Sequence, residues 1–162
     1  MNFSGIKSDD LFLLAINRFN DSKEFYEENK EAIKVGVIMP LRQLVADLTD
    51  TMHKINPDII VDPVRCISRV RRDTRYTHDK SLYRENMWIM FRHAKNWLPT
   101  AVLWFEVKQN GFEYGCGVVS STPAFMEYFR QCLLGDGERF LDAIKPLKRN
   151  KFALDTSSYK RS

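Results

Sequence analysis

Thr100-Ala-Val-Leu-Trp-Phe-Glu-Val-Lys-Gln-Asn-Gly-Phe-Glu-Tyr-Gly-Cys-Gly-Val-Val-Ser120 decides the fold. Two alternating runs, residues 100–109 and 112–120, flank Asn110-Gly111, and alternation is the period of a half-buried strand. Asn-Gly between such runs predicts a two-residue hairpin, because both central residues of a type I′ turn need positive φ. That turn pairs Gln109 with Phe112, Lys108 with Glu113, Val107 with Tyr114, Phe105 with Cys116, Trp104 with Gly117 and Leu103 with Val118. One face then presents Leu103, Phe105, Val107, Tyr114, Cys116 and Val118 to a core. The other sets Trp104 and Glu106 against Gly115 and Gly117, leaving a depression that a helix or side chain fills, or a ligand occupies.

Outward from the hairpin the period changes. Upstream, residues 87–92 are a second strand candidate. Residues 65–71 are a third, with Cys66, Ser68 and Val70 on one side and Ile67 and Arg69 on the other. Before them the chain reads as helix. Ser8 is the expected N-cap, with Asp9 and Asp10 in the first turn where the helix dipole favours negative charge. Leu11, Leu14, Ala15 and Phe19 give its apolar face. A second start lies at Asp21 or Ser22, leading into Phe25, Tyr26 and Ile33. Val37, Leu41, Leu44, Val45, Leu48 and Met52 form a third helical series, with Pro40 at a kink or first turn and Asn56-Pro57 at its end. Downstream, Thr122-Pro123 opens a helix through Phe125, Met126, Phe129 and Leu133, closed by Gly135. Residues 138–145 form one more, stopped by Pro146. Residues 152–154 are a candidate strand and 155–162 an expected disordered tail. The sum is an α+β domain spanning 1–162: an antiparallel sheet around the Asn-Gly hairpin, with N-terminal and C-terminal helices packed mainly on one side.

At 162 residues the chain suits one core. Its 12% aromatic content argues against disorder. The longest apolar runs fall far short of a membrane span, and the acidic opening does not read as a secretion signal. Cys66, Cys116 and Cys132 are scattered and odd in number, as expected of reduced thiols in the cytoplasm. Neither they nor His53, His78 and His93 have metal-type spacing, so neither a metal nor another cofactor is expected. Nothing in the sequence sets an oligomeric state.

Charge is unevenly placed. Residues 65–95 hold nine Lys/Arg against three Asp/Glu, a net +6, whereas residues 1–64 sum to −4 and 96–144 to −3. Residues 145–162 carry +5. Two basic segments in an acidic body suit a compact anion better than a long nucleic-acid track. The first contains Arg69-Val-Arg-Arg-Asp-Thr-Arg-Tyr-Thr-His-Asp-Lys-Ser-Leu-Tyr-Arg84. A strand ending or bulging near Arg71 would aim Arg72, Asp73 and Arg75 together. Asp73 between guanidiniums stays ionised and orients them, since such pairs are often bidentate. Arg69, Arg75, Lys80 and Arg84 would then offer donors to a phosphate or carboxylate, with Tyr76 and Tyr83 as walls. Thr74, Thr77 and Ser81 would shape the turn.

The spacing Arg69-x-x-Arg72-Asp73-Thr74-Arg75-Tyr76-x-x-Asp79-Lys80-x-x-Tyr83-Arg84 resembles the signature of a conserved family catalogued as domain of unknown function 2461. Phe25-Tyr26-x-x-Asn29-Lys30 is similar to that family's helical element, and Gly115-x-Gly117 and Thr122-Pro123 fall where the family places them. The resemblance covers nearly the whole chain. It implies a shared fold and a site at the charged segment, and carries no activity, substrate or cofactor with it. Two departures stand out: Arg84 replaces the usual Lys, and Leu82 a common Pro. Arginine stays protonated and forms no Schiff base, so covalent amine chemistry is excluded at residue 84 while anion binding survives. Tyr159-Lys160-Arg161 resembles an element beyond which similar members continue, so a piece that closes over the site is expected to be missing here.

Three functions follow. The first is binding of a small phosphate- or carboxylate-bearing ligand by Arg69, Arg72, Arg75, Tyr76, Lys80, Tyr83 and Arg84. The second is a phosphoester or related transfer with Asp73 or Asp79 as proton acceptor, His78 and Glu106 being further candidates. The third is a non-enzymatic interaction module in which the charged segment is a structural salt-bridge network, with residues 145–161 contacting a nucleic acid or acidic partner.

Overall fold

In the computed structural model, which describes residues 2–94, 101–118 and 121–150, the chain forms two compact units, Met1–Ser120 and Ser121–Ser162. The first unit opens with helices. Helix α1 (Ser8–Asn20) has Asp9 and Asp10 in its first turn; its N-cap is Lys7, one residue before the expected Ser8. Leu11, Leu14 and Asn17 are its buried residues. Phe19, expected on that stripe, is 90% exposed, because the buried positions recur every third residue and residue 19 falls on the far side of the helix. The helix ends at Asp21, whose φ of 47° makes it the one described non-glycine residue in the left-handed region.

Ser22 caps helix α2 (Lys23–Ile33), its hydroxyl accepting from the Phe25 amide at 3.2 Å. A π-helical turn (Lys34–Ile38) joins α2 to helix α3 (Met39–Ile55) without a break. Pro40 sits in the first turn of α3, where its missing N–H matters least. Nothing in the periodicity predicts the wide turn. Its Gly36 lets α1 approach closely: a Cβ there would lie 2.3 Å from Asp10 Oδ1 and 2.9 Å from Asp10 Cβ. Val37, Leu41, Leu44, Val45 and Met52 are buried along the joined helix, as their period predicts.

Strands β1 (Asn86–Phe91), β2 (Ala101–Lys108) and β3 (Gly111–Val118) form an antiparallel sheet in the order β1-β2-β3. Helix α1 packs on β1 and β2, and α3 on β1, so Met87, Ile89, Phe91 and Val107 join the helical residues in one core. The fold class is the α+β arrangement expected. The hairpin register is not. Lys108 pairs with Gly111, Phe105 with Tyr114, Trp104 with Gly115 and Leu103 with Cys116, two residues off the expected pairing on β3. The turn residues are Gln109 and Asn110, and Gly111 follows them as the first strand residue with φ 139°. The glycine is therefore needed after the turn rather than inside a type I′ turn. A slip of two preserves the faces. It brings Glu106 opposite Glu113, and the Asn86 amide at 2.8 Å from Glu106 and the Lys108 ammonium at 2.5 Å from Glu113 offset that repulsion.

Two further expectations change. Tyr114, Cys116 and Val118 are exposed, because β3 is the edge strand and, among the described residues of this unit, the helices pack on β1 and β2. Of the two glycines in the depression, Gly115 lies under the Trp104 indole, with ring atoms 3.2 Å from where a Cβ would stand, while Gly117 faces nothing within 4 Å. Residues 65–71 are not a strand. Asp62 caps a short helix α4 (Pro63–Cys66) by accepting from the Val64 amide, and the chain then forms isolated bridges, Ile67 with Ile89 and Arg71 with Tyr83, in place of a continuous ladder.

The second unit is a helical hairpin, α5 (Pro123–Gly135) and α6 (Gly137–Arg149). The Thr122 hydroxyl accepts from the Phe125 amide at 3.1 Å, and Phe129 meets Phe140 edge to face at 6.2 Å. Pro146 does not stop α6, which continues to Arg149. So close to the helix end, a missing N–H removes a single bond. No helix among the described residues is long and apolar enough to cross a membrane. The strand expected at 152–154 and the tail at 155–162 lie outside the described residues.

Candidate functional site

After α4, extended backbone runs along the outer edge of β1 and then beside residues 82–84, which precede that strand. The Ser68 amide donates to Trp88 O at 2.8 Å, Arg84 N to Val70 O at 3.0 Å, and Arg72 N to Leu82 O at 2.8 Å. Side chains alternate along such a segment, so Val70 is buried while Arg69 and Arg71 are exposed, and Tyr83, which bridges Arg71, is buried as well. Between Arg72 and Leu82 the loop closes on itself. The Asp79 carboxylate accepts from the Ser81 amide at 3.0 Å and from the Ser81 hydroxyl. Thr77 donates to Asp79 O at 2.8 Å and Lys80 Nζ to Thr74 O at 2.8 Å. The loop is also fastened from outside. Asp21, held in its left-handed conformation at the end of α1, accepts from the Leu82 and Tyr83 amides at 2.7 and 3.1 Å. Arg18 reaches Asp79 at 3.2 Å, and Tyr83 stacks on Tyr26 with centroids 4.8 Å apart.

Beside this loop lies a cleft of about 430 Å³ lined by five arginines (69, 71, 72, 75 and 84) with Asp73, Ser68 and Trp88. The arginines fall into two groups. Arg75 forms a two-point pair with Asp73, Nε to Oδ1 at 2.9 Å and Nη2 to Oδ2 at 2.7 Å. Arg72 donates to Asp79 and, at 2.7 Å, to the Ser81 hydroxyl. Arg69, Arg71 and Arg84 make no ion pair among the described residues. Arg84 is the distinctive one. Its guanidinium carbon lies 4.3 Å above the Trp88 ring, and its Nε is buried with no acceptor. Burial, and then the charge of Arg72, lowers its pKa.

A family model described as a conserved hypothetical protein (DUF2461) matches residues 11–162. The chain belongs to that family. No curated protein and no solved structure matches it.

In this DUF2461 member the structure gathers Arg69, Arg72, Asp73, Arg75 and Arg84 on one cleft and places the other expected residues elsewhere. Tyr76 is 88% exposed beneath the Arg75 guanidinium. Lys80 is engaged by the Thr74 carbonyl, and Tyr83 is a core residue. Asp79 bridges Arg72 and Arg18 and does not line the cleft. Arg71, Ser68 and Trp88 line it in addition to the residues expected. Arg71 shares strand parity with Arg69, and Trp88 alternates with the buried Met87 and Ile89; both signals are present in the sequence. The clamp by Asp21 leaves no such trace.

The electrostatics bear on chemistry. The bond from Arg75 holds Asp73 down at about 2. The Ser81 hydroxyl, with Arg72 second, holds Asp79 well below the usual carboxylate range. Carboxylates so far from neutrality are weak proton acceptors at neutral pH. Glu106 accepts from Asn86, and His78 is exposed. The cleft offers many donors and a strong local positive potential.

Proposed function

We propose that this domain binds a small anion, phosphate- or carboxylate-bearing, between Arg69, Arg71 and Arg84, with Arg72 and Arg75 at the rim. The observation that carries this reading is Arg84, a partly desolvated cation that faces four other arginines and whose buried Nε has no acceptor. An uncompensated charge of this kind is costly in a merely structural role. A phosphate or carboxylate would accept from it directly, and guanidiniums match both geometries. The scaffold reading has its own support, confined to the other half of the segment: Arg72, Asp79, Ser81 and Arg18 are mutually satisfied and hold the loop shut. On this view one segment does both jobs. The depressed carboxylates favour binding over proton transfer. A free, buried Cys66 and exposed, unbridged Cys116 and Cys132 suit a reducing cytoplasm.

Thermal unfolding in phosphate against chloride at matched ionic strength tests the proposal. A ligand at 100 times its Kd stabilises by about 2.7 kcal/mol. Phosphate should therefore raise Tm in the wild type and leave Arg84→Met unmoved. Equal Tm in both salts, or an equal rise in Arg84→Met, overturns it.

A further inference from the structure

The chemistry of the lining narrows the ligand, on the assumption that the cleft is an anion site at all. Three of the arginines lining the cleft, Arg69, Arg71 and Arg84, make no ion pair among the described residues, so a monoanion leaves most of the local charge uncompensated. Acceptors are the second consideration. Both Asp73 oxygens are engaged by Arg75, and the Ser68 hydroxyl already accepts from the Trp88 amide at 3.0 Å and lies 3.6 Å from Met87 Sδ. Every side-chain acceptor on the described wall is thus already engaged by a protein donor, and a sugar hydroxyl or base N–H would have to share it. Trp88 is the only ring on the described lining, and Arg84 covers one of its faces, whereas recognition of a base usually rests on an open stacking platform.

We infer that the cleft takes a diphosphate group, free or at the end of a larger molecule, and reads neither the base nor the sugar attached to it. A diphosphate supplies acceptors only, carries enough charge to meet three guanidiniums, and gives each one a pair of oxygens to bridge. Arg69 and Arg71, on the same side of their segment, would engage one phosphoryl group, and Arg84 the other.

Titration calorimetry on the full chain with inorganic diphosphate, orthophosphate, citrate, ADP and UDP tests the inference. Diphosphate should bind at least about tenfold more tightly than orthophosphate or citrate, a difference of about 1.4 kcal/mol. ADP and UDP should bind alike. Arg69→Gln and Arg71→Gln, both at exposed positions that leave the core untouched, should each reduce diphosphate affinity more than orthophosphate affinity. Orthophosphate binding as tightly as diphosphate, citrate matching diphosphate, or a clear preference between ADP and UDP would each overturn the inference while leaving an anion site standing. Absence of heat with every anion would remove the site itself.

Discussion

Asn17 places a primary amide where no part of the residue reaches solvent, and both its Nδ2 and Oδ1 lack partners. A buried polar group left unpaired costs about 1–3 kcal/mol. Asn17→Leu, close in shape and free of that penalty, should raise Tm by several degrees in differential scanning calorimetry; a drop would mean that the amide is satisfied by ordered water. Arg84 behaves in parallel. Without an anion, Arg84→Met should unfold no earlier than the wild type, because the substitution removes a desolvated cation that lacks a counter-charge. If its Tm falls sharply in plain buffer, stacking on Trp88 is structural first. These residues also mark the limit of what the sequence discloses. Asn17 interrupts a stripe of leucines and looks like a surface residue by type, so residue types alone assign the apolar face to Phe19 instead. Arg84 is legible as a basic residue in a basic run; its seat on Trp88 depends on the pairing of residues 67–72 with residues 82–89, which no local period reveals.

Among the elements, the π-helical turn between α2 and α3 makes an unusually tight contact with a neighbour. Gly36→Ala sets a methyl against both the carboxylate and the Cβ of Asp10. Because the clash reaches that Cβ, α1 must move as well as the carboxylate. Overpacking of this sort costs about 1–3 kcal/mol, measurable by urea unfolding; Asp10→Gly in the same background should recover part of the loss. Helices are the readiest elements to recognise, since Val37, Leu41, Leu44, Val45 and Met52 repeat through the turn and through Pro40 without a gap. The hairpin's place in the chain and the division of its residues between two faces are equally legible. Its register is not, because Asn-Gly can supply positive φ within a turn or just after it, and only the strands' packing chooses. Residues 65–71 alternate like a strand but follow Asp62-Pro63, a helix-capping pair that takes residues 63–66 into α4.

For the molecule as a whole, the distribution of charge governs behaviour. Asp73 falls from the ordinary 3.8 to about 2, and Asp79 is lowered further. A carboxylate lowered on folding stabilises fully above its unfolded value and loses that contribution as pH falls through its folded one. Tm should therefore decline below about pH 4 and continue to decline toward pH 2, with Asp79→Asn flattening the curve. Both groups are well exposed, so the effect should shrink at high salt. A Tm independent of pH across that window would remove the ion pairs from the stability of the loop. The net +6 over residues 65–95 against a negative body should also make anion association faster at low ionic strength. That segregation is plain in the sequence, and it points to the stretch of chain that lines the cleft. What composition does not disclose is which arginines are neutralised by neighbours, since that depends on how the loop folds back on itself.

The guanidinium resting on the Trp88 indole turns the cleft into its own reporter. Excited indoles respond to nearby cations and to the polarity around them, so any occupant that draws Arg84 off the ring should alter the emission of Trp88. The chain has three tryptophans, and replacing Trp97 and Trp104 with phenylalanine would leave one fluorophore at the place of interest. Occupancy then becomes visible by light alone, without a label and for any compound that enters.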